Sequence, residues 1–287
     1  MITIENQQFK ASIAERGAEL QSLVNKTDNY DYIWTGDKTF WNRHAPILFP
    51  AIGKSNEDQY RLGAKTFPMG QHGFARDYDF EVSDRSDSAV TFTQHQNSET
   101  LKKFPFKYTL AVTYMLTEDG LSIHYTVTND DSNSMPFALG FHPAFNVALK
   151  ADGSFDDYDL TVEPLNSPLQ RFGIGPVPFR NGDVEDIAGA EGNKLPLTHD
   201  LLDGGLVILA NSEISKATLS SRITSTVSRL ISMTSLISLS GVLNIRRLRL
   251  LRLNRLTGYL TKPANHPIGT PSLATPHFLQ VPINSSP

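Results

Sequence analysis

The stretch "KYTLAVTYMLTEDGLSIHYTVTND", Lys107–Asp130, has the clearest structural pattern in the chain. Its first half alternates large apolar residues with small or polar ones, and its second half resumes the alternation after "EDG". Successive side chains of a β-strand point to opposite faces, so a period of two on both sides of a glycine-containing turn predicts an antiparallel hairpin. The alternating residues are Tyr108, Leu110, Val112, Tyr114 and Leu116, followed by Leu121, Ile123, Tyr125 and Val127.

The same pattern extends to other parts of the chain. "DFEVSDRSDSAVTFTQ" (Asp79–Gln94) repeats it, and the opening "ITIENQQFKASIAERGAEL" (Ile2–Leu20) repeats it more weakly. No long helical period occurs before Glu213, and 19 Gly and 17 Pro interrupt the 287 residues at short intervals. Many short strands separated by turns predict an all-β fold, a large antiparallel β-sandwich.

The residue types present exclude several kinds of site. The chain has no cysteine, which excludes disulfides, cysteine metal ligands and cysteine nucleophiles. It has no G-x-S-x-G element and no glycine-rich phosphate loop, so neither Ser-His-Asp catalysis nor phosphate-loop binding is indicated. No apolar run follows an N-terminal basic cluster, and no window approaches the roughly 18 apolar residues of a membrane span. We therefore expect a cytoplasmic protein that has no membrane partner.

Three stretches carry polar residues that a plain β surface does not require. They are "WNRHAPILFPAIGK" (Trp41–Lys54), "GQHGFARDYDF" (Gly70–Phe80) and "MPFALGFHPAFN" (Met135–Asn146). Each also has a purely structural explanation. A histidine in an apolar run is often a hydrogen-bonded core residue, Arg43 can be a surface charge, and the glycines of the second stretch can simply make a turn. On the residues alone, these explanations stay open.

A metal site built from the histidines of these stretches is a further alternative. His44, His72 and His142 supply one imidazole each, but no two of them have the i, i+2 or i, i+4 spacing that often serves a shared metal ion. We therefore expect no metal ion.

Taken together and in this order, "RHAPILFPAIG", "HGFAR" and "GFHPAFN" resemble the aldose 1-epimerase (mutarotase) family. The closest resemblance is to its bacterial galactose mutarotase-like branch, of the kind found beside lactose genes, and it covers Ile2–Leu219. It implies a galactose mutarotase-like supersandwich and an isomerase that interconverts the α and β anomers of a hexose. The implied partner is a small-molecule sugar, and no cofactor is implied.

The resemblance also implies roles for particular residues. Opening a sugar ring needs a base for the anomeric hydroxyl proton and an acid for the ring oxygen. In the family the histidine of the "FHP" motif is the acid, which corresponds to His142, and histidine suits this task because its pKa lies near working pH. His72, in "HGFAR", is expected to hydrogen-bond the sugar near the same oxygen. Arg43 matches the family's substrate-binding arginine.

Two further substrate-binding residues are less sharply indicated. Arg76 is a plausible second arginine, although an ion pair with Asp77 is its structural alternative. The family also uses an aspartate ahead of a later strand, and in "THDLLDGGLVIL" Asp203 is the better match and Asp200 the alternative. Asp203 and the two glycines after it can equally form a plain hairpin turn.

The C-terminal part of the chain has a different composition. All 30 Asp and Glu residues lie at or before Glu213, whereas the 74 residues after it carry seven Arg, two Lys and no acid. A solvated surface normally mixes both signs of charge. We therefore divide the chain into an epimerase-like sandwich domain, 1–220, and an atypical basic tail, 221–287. Arg clusters favour phosphate, so a tail that binds nucleic acid or membrane is one explanation.

A shift of reading frame explains the tail better. The family's base is a glutamate in a stretch resembling "APFV-IEPW", and the tail has no glutamate and no tryptophan. Codons that encode "NIRRLRLLRLNR" (Asn244–Arg255) can be chosen so that translation from the third base of the first codon gives "HPTAPFVAIEP". The shifted glutamate codon spans Leu253 and Asn254. We therefore expect an out-of-frame tail, disrupted C-terminal strands, and no nucleic-acid partner.

Three functional hypotheses follow. The first is an aldose 1-epimerase-family isomerase that is inactive with this tail because its base is missing. The second is a non-catalytic carbohydrate-binding protein that keeps the groove without the chemistry. The third is an inactive, poorly folded product of a broken gene. The residues leave the oligomeric state and the preferred sugar open.

Overall fold

A computed structural model describes residues 1–147, 153–177, 179–203, 205–222, 231–234, 240–244 and 250–256. Within these ranges the chain is built mainly from short strands. The strands are β1 (Ile2–Glu5), β2 (Phe9–Ala14), β3 (Glu19–Asn25), β4 (Tyr30–Asp31), β5 (Ile47–Leu48), β6 (Gln59–Leu62), β7 (Lys65–Pro68), β8 (Glu81–Arg85), β9 (Ala89–His95), β10 (Tyr108–Leu116), β11 (Leu121–Asn129), β12 (Gly140–Phe141), β13 (Ala144–Asn146), β14 (Tyr158–Glu163), β15 (Gln170–Ile174), β16 (Arg180–Asp186), β17 (Lys194–Pro196), β18 (Leu206–Ile208), β19 (Lys216–Ser221), β20 (Ile231–Thr234), β21 (Ser240–Asn244) and β22 (Leu250–Leu256).

Helices contribute little to this part of the chain. The two α-helices are α1 (Ser98–Lys103) and α2 (His199–Asp203), and single 3-10 turns cover Asn56–Asp58, Ala75–Asp77 and Phe155–Asp157. In the described ranges no helix has the length and the apolar composition that crossing a membrane would require.

The strands form antiparallel sheets. Four sheets have four strands each, in the orders β1-β2-β3-β4, β11-β10-β9-β8, β13-β22-β21-β18 and β17-β14-β19-β20. Three further pairs are β5 with β12, β6 with β7, and β15 with β16. The prediction of an all-β, antiparallel fold is confirmed.

The hairpin predicted at Lys107–Asp130 is present with the expected register. β10 and β11 pair from Tyr108↔Asn129 to Leu116↔Leu121. The alternate residues of β10 that we expected to face the core are fully buried, since Tyr108, Leu110, Val112 and Tyr114 are each 0% exposed. The matching residues of β11 are only partly buried against this core, because β11 is the edge strand of its sheet. The weaker patterns at 2–20 and 79–94 also form antiparallel neighbours, β1-β2-β3 and β8-β9.

One element was not predicted from the sequence. The six-residue helix α1 begins after Asn97, whose side chain accepts the N–H groups of Glu99 and Thr100 at 2.9 Å. The Thr100 hydroxyl in turn accepts the N–H of Asn97 at 2.8 Å. These reciprocal bonds satisfy N–H groups that a helix start leaves unpaired. A helix this short does not develop the periodic apolar face that reveals longer helices.

The described parts of the tail are strands that pair with the sandwich. β20 pairs with β19, β21 pairs with β18, and β22 lies between β13 and β21. The rest of the tail, at 223–230, 235–239, 245–249 and 257–287, lies outside the described residues. The boundary near 220 and the disruption of the C-terminal strands therefore remain predictions.

Candidate active site

The first and third sequence stretches form one antiparallel ribbon. β5 pairs with β12 through Leu48↔Gly140 and Ile47↔Phe141. Beyond this pair, the His142 N–H donates to the carbonyl of Pro46 at 3.0 Å, and the Ala144 N–H donates to the carbonyl of His44 at 2.8 Å. "RHAPILFP" and "GFHPAF" are therefore held side by side, and His142 emerges from the ribbon at a fixed position.

The second stretch joins this ribbon at Gly73. The N–H groups of Phe74 and Ala75 both donate to the carbonyl of Phe49, at 2.9 and 3.0 Å. Gly73 has a φ of +72°, and a Cβ at this position would collide with the backbone of Phe49 and Pro50. A glycine is required here because two backbone segments approach each other too closely for a side chain. Gly73 therefore does more than complete a turn, because it brings "HGFAR" against the first stretch.

His72 is held in an unusual backbone conformation beside this contact. Its φ is 68°, a left-handed value that is uncommon for a residue with a side chain. Its N–H donates to the carbonyl of Gly53 at 2.7 Å, and the Gly53 N–H donates to His72 Nδ1 at 3.0 Å. Because Nδ1 accepts a hydrogen bond, the neutral imidazole carries its proton on Nε2. Nε2 is therefore the ring nitrogen of His72 that can donate to a ligand.

His142 lies among aromatic and imidazole rings. It is 4% exposed. Its ring centroid lies 5.6 Å from that of His72 with an interplanar angle of 72°, and 5.1 Å from that of Trp41 with an angle of 39°. The fold thus brings together the two histidines that the sequence singled out, from stretches 70 residues apart. His142 is therefore a buried imidazole at the point where the three stretches meet.

The arginines form a charged cluster with two carboxylates. Arg43 Nη2 donates to Asp77 Oδ1 at 2.5 Å, and Arg43 Nη1 lies 3.6 Å from Glu19 Oε2. Arg43 is therefore paired with two carboxylates and is not an isolated charge, and its role with sugar stays a prediction. Arg76 Nη2 donates to the carbonyl of Gln71 at 2.7 Å, next to His72, whereas Arg76 Nε is 4.0 Å from Asp77 Oδ2. Asp77 therefore pairs more closely with Arg43 than with its sequence neighbour.

Burial and like charge act on Arg76. Its side chain is 18% exposed. Burial lowers the pKa of the guanidinium from its ordinary value, and the positive charge of Arg43 lowers it further, while Asp77 and Glu19 oppose the change. The two arginines are close enough to repel each other, so the carboxylates are needed to keep both charges in one place.

Glu19 is a site-supporting residue that the sequence reading missed. It is 6% exposed, and its Oε1 accepts the N–H groups of His44 at 2.6 Å and Ala45 at 3.1 Å. These bonds anchor the backbone that follows Arg43. The signal that could have identified it is an acid at the start of an apolar strand, in "GAELQSL", because a buried carboxylate needs charged or hydrogen-bonding partners.

His44 has a supporting contact of its own. Its Nδ1 lies 2.7 Å from the carbonyl of Trp34, and its Nε2 lies so close to Gly36 that a Cβ at that position would collide with it. Across the described residues, no three His, Asp or Glu side chains come together as ligands for a metal ion.

Asp203 is the last residue of α2, just ahead of β18. The Gly205 N–H donates to the carbonyl of Leu202 at 3.0 Å, and Gly205 has a φ of +104°. The strands on either side of this segment, β17 and β18, belong to different sheets, so the hairpin-turn alternative is wrong. Asp200 is exposed in the first turn of α2. The side chain of Asp203 lies outside the described part of the chain, and its role with sugar stays a prediction.

Two curated relatives match part of this sequence. The LacX proteins of Lactococcus lactis subsp. lactis, plasmid and chromosomal, are each 32% identical over 172 residues, which is 58% of this chain and 57% of theirs. The chain thus spans little more than half the length of these curated relatives.

Solved structures match over most of the chain. A galactose mutarotase-like protein from Lactobacillus casei is 74% identical, with a TM-score of 0.84 over 93% of this chain and 90% of that one. A galactose mutarotase related enzyme from Lactobacillus acidophilus is 25% identical, with a TM-score of 0.76 over 90% and 85%. These likenesses agree with the predicted galactose mutarotase-like sandwich.

A family model described as aldose 1-epimerase matches residues 1–168, which include all three stretches that meet around His142. This match covers more than half of the 287 residues. The chain therefore belongs to the aldose 1-epimerase family.

Proposed function

We propose that this protein is built to interconvert the α and β anomers of a hexose by acid/base opening of the sugar ring. The observation that carries the proposal is the contact between His142, 4% exposed, and His72, whose ring lies 5.6 Å away where three loops converge. The two solved relatives described as galactose mutarotase-like or galactose mutarotase related make galactose the first sugar to test.

The reaction requires two proton transfers in one geometry. A base removes the proton of the anomeric hydroxyl while an acid protonates the ring oxygen, and the bond between that oxygen and the anomeric carbon breaks. The open-chain aldehyde then rotates about its bond to the next carbon, and the reverse transfers close the ring on the other face. In the proposal His142 is the acid, and His72 donates through Nε2 near the same oxygen. Nothing is consumed, because ring closure returns the acid and the base to their starting protonation states.

Sugar hydroxyls are proposed to bind the arginine cluster. Arg43 and Arg76 present several N–H donors in a fixed planar geometry, and these suit oxygen acceptors. Asp77 and Glu19 hold the guanidinium of Arg43 in place, at 2.5 and 3.6 Å. Asp203 is proposed as a further contact for hydroxyl groups.

The base is the part that this chain lacks. No acid follows Glu213, so the tail supplies no carboxylate. The strand register supports the frame-shift explanation. β22 pairs with β13 through Asn146↔Leu250 and Ala144↔Arg252. Continuing that register by two residues brings position 254 level with His142, and the shifted reading has its glutamate across codons 253 and 254.

We therefore propose that the tail after about Ser220 is out of frame, and that the original frame presents a glutamate beside His142. The acid and the base would then stand on neighbouring segments, within reach of one bound sugar. A basic nucleic-acid-binding tail does not account for the total lack of acids, nor for the recovery of a glutamate at this position.

Polarimetry on freshly dissolved α-galactose tests the proposal. Two proteins are compared at equal concentration: the present chain, and a chain whose gene has a one-base insertion near codon 220 that restores the other frame. We expect mutarotation near the buffer rate from the first and clear acceleration from the second. Full activity of the present chain would mean that the base lies elsewhere. Equal inactivity of two folded proteins would refute the isomerase assignment.

A non-catalytic carbohydrate-binding protein is the second candidate, and the lack of a glutamate base in the tail is the observation that favours it. Such a protein would keep the arginines and histidines and lose only the proton transfer. Calorimetric titration with galactose, run beside polarimetry on the same sample, separates the two. Binding without acceleration in both chains would support the second candidate.

A further inference from the structure

Trp41 stands beside the proposed acid and takes no part in the proposed proton transfers or in binding the sugar hydroxyls. Its ring is half-buried, and its centroid lies 5.1 Å from that of His142 with an angle of 39° between the planes. In the core, by contrast, rings such as Phe49 pack against other apolar or phenolic rings, among them Phe104 and Tyr108. An indole packed against an ionisable imidazole differs from these core pairs.

The backbone at Trp41 is held in place by its surroundings. The Trp41 N–H donates to the carbonyl of Asp37 at 2.8 Å, and its carbonyl accepts the Nε1–H of Trp34 at 3.0 Å. Within the same turn the Thr39 N–H donates to Asp37 Oδ1 at 2.8 Å. Two residues further on, Arg43 is paired with Asp77. The indole is therefore attached to a backbone that is fixed at both ends.

The chemistry of a pyranose suits a surface of this kind. Its hydroxyl groups project around the rim, and its faces carry C–H groups with a small positive charge. The face of an aromatic ring carries a small negative charge, and tryptophan offers the largest such area among side chains. The ring centroids of His142 and Trp41 are only 5.1 Å apart, so the indole lies within reach of a pyranose that takes a proton from His142.

We propose that the indole of Trp41 is the platform against which one C–H face of the hexose packs while His142 acts on the ring oxygen. This inference rests on the proposed function, since it assumes that a hexopyranose occupies the site. The platform selects ligands that combine an apolar face with a polar rim, which means pyranoses rather than open-chain polyols. Trp41 thus sets the orientation of the sugar, and the arginines hold its hydroxyl groups.

The test is calorimetric titration with galactose of the present full-length chain and three variants. Trp41→Leu removes the aromatic face, Trp41→Phe keeps a smaller one, and Phe172→Leu removes a half-buried ring from β15, in a separate two-stranded sheet. We expect Trp41→Leu to weaken binding about tenfold, or about 1.4 kcal/mol. Trp41→Phe should weaken it by only about two- to threefold, and Phe172→Leu should leave it unchanged.

A second measurement does not depend on removing Trp41. The chain has two tryptophans, Trp34 and Trp41, so Trp34→Phe leaves Trp41 as the single indole. Galactose should change the emission of this variant with the same saturation midpoint as a calorimetric titration of the same variant, and the straight-chain polyol galactitol should not. If neither the parent nor the frame-restored chain binds galactose, the proposed function fails, and this inference fails with it; if only the frame-restored chain binds, the same variants are compared in that chain. If the parent binds galactose while Trp41→Leu binds equally well, or Trp41 emission stays constant, only the platform is refuted.

Discussion

The guanidinium of Arg43 donates to the carboxylate of Asp77 across 2.5 Å, although the two residues lie 34 positions apart. This bond joins the loop ahead of β5 to the turn that follows His72. It therefore connects two of the three stretches from which the site is built, and it orients an arginine proposed to bind sugar.

Replacing Asp77 with asparagine tests whether this bond serves binding or stability. We expect Asp77→Asn to weaken galactose binding about three- to tenfold, because Arg43 loses its nearest counter-charge and its fixed direction. The free energy of unfolding should fall by no more than about 1 kcal/mol, since the two side chains are 28% and 43% exposed. Calorimetry and urea unfolding measure the two quantities. Glu99→Gln, which breaks the surface pair with Lys102, is the control and should change neither. Loss of stability with unchanged binding would make the pair purely structural.

Gly73 and Gly63 form a matched pair for testing the contact between the first two stretches. Both have left-handed φ values, +72° and +59°, but only Gly73 faces backbone within the reach of a Cβ. Gly63→Ala should cost about 1–2 kcal/mol from backbone strain alone. Gly73→Ala should cost at least about 2 kcal/mol more, because the backbone of Phe49 and Pro50 must move. Urea unfolding of the two variants gives the difference. Equal costs would show that the ribbon and "HGFAR" separate easily.

The acid assignment is tested in the frame-restored protein, where a base is expected. His142→Asn should slow mutarotation of galactose by about 10²- to 10⁴-fold, the usual contribution of a positioned acid. His124→Asn changes an exposed histidine on β11 and should keep the parental rate. Polarimetry measures the mutarotation rate of both variants. A His142→Asn protein with a near-normal rate would remove His142 from the mechanism.

The tail is expected to reduce the stability of the whole fold. The 74 residues after Glu213 carry seven Arg, two Lys and no acid, whereas a solvated surface normally mixes both signs of charge. We expect the frame-restored chain to be more stable by at least about 2 kcal/mol, because its acids would supply the counter-charges that the present tail lacks. Limited proteolysis of the present chain should cut first within 221–287. A sharp, cooperative melt with a protected C-terminal part would indicate a genuine structural tail instead.

The strand pattern and the composition break could be read from the sequence alone. The hairpin of β10 and β11 was predictable because alternation between core and surface is a property of consecutive residues, and Tyr108, Leu110, Val112 and Tyr114 repeat it without interruption. The loss of acids after Glu213 is likewise a fact of the sequence. The importance of His72 and His142 was predicted from the motifs around them, and their roles are still proposals.

The tertiary structure alone decided which segments meet. In it β5 pairs with β12, and Gly73 lies against the backbone of Phe49. Asp77 forms its shorter ion pair with Arg43 and not with the adjacent Arg76. The tertiary structure also brought Trp41 against His142 and Glu19 against the backbone of His44, contacts that no local pattern predicts. Contacts of this kind depend on how several sheets bury their faces together, and the partners lie tens of residues apart. A window of sequence holds only one side of each contact, so the arrangement became visible only once the chain was folded.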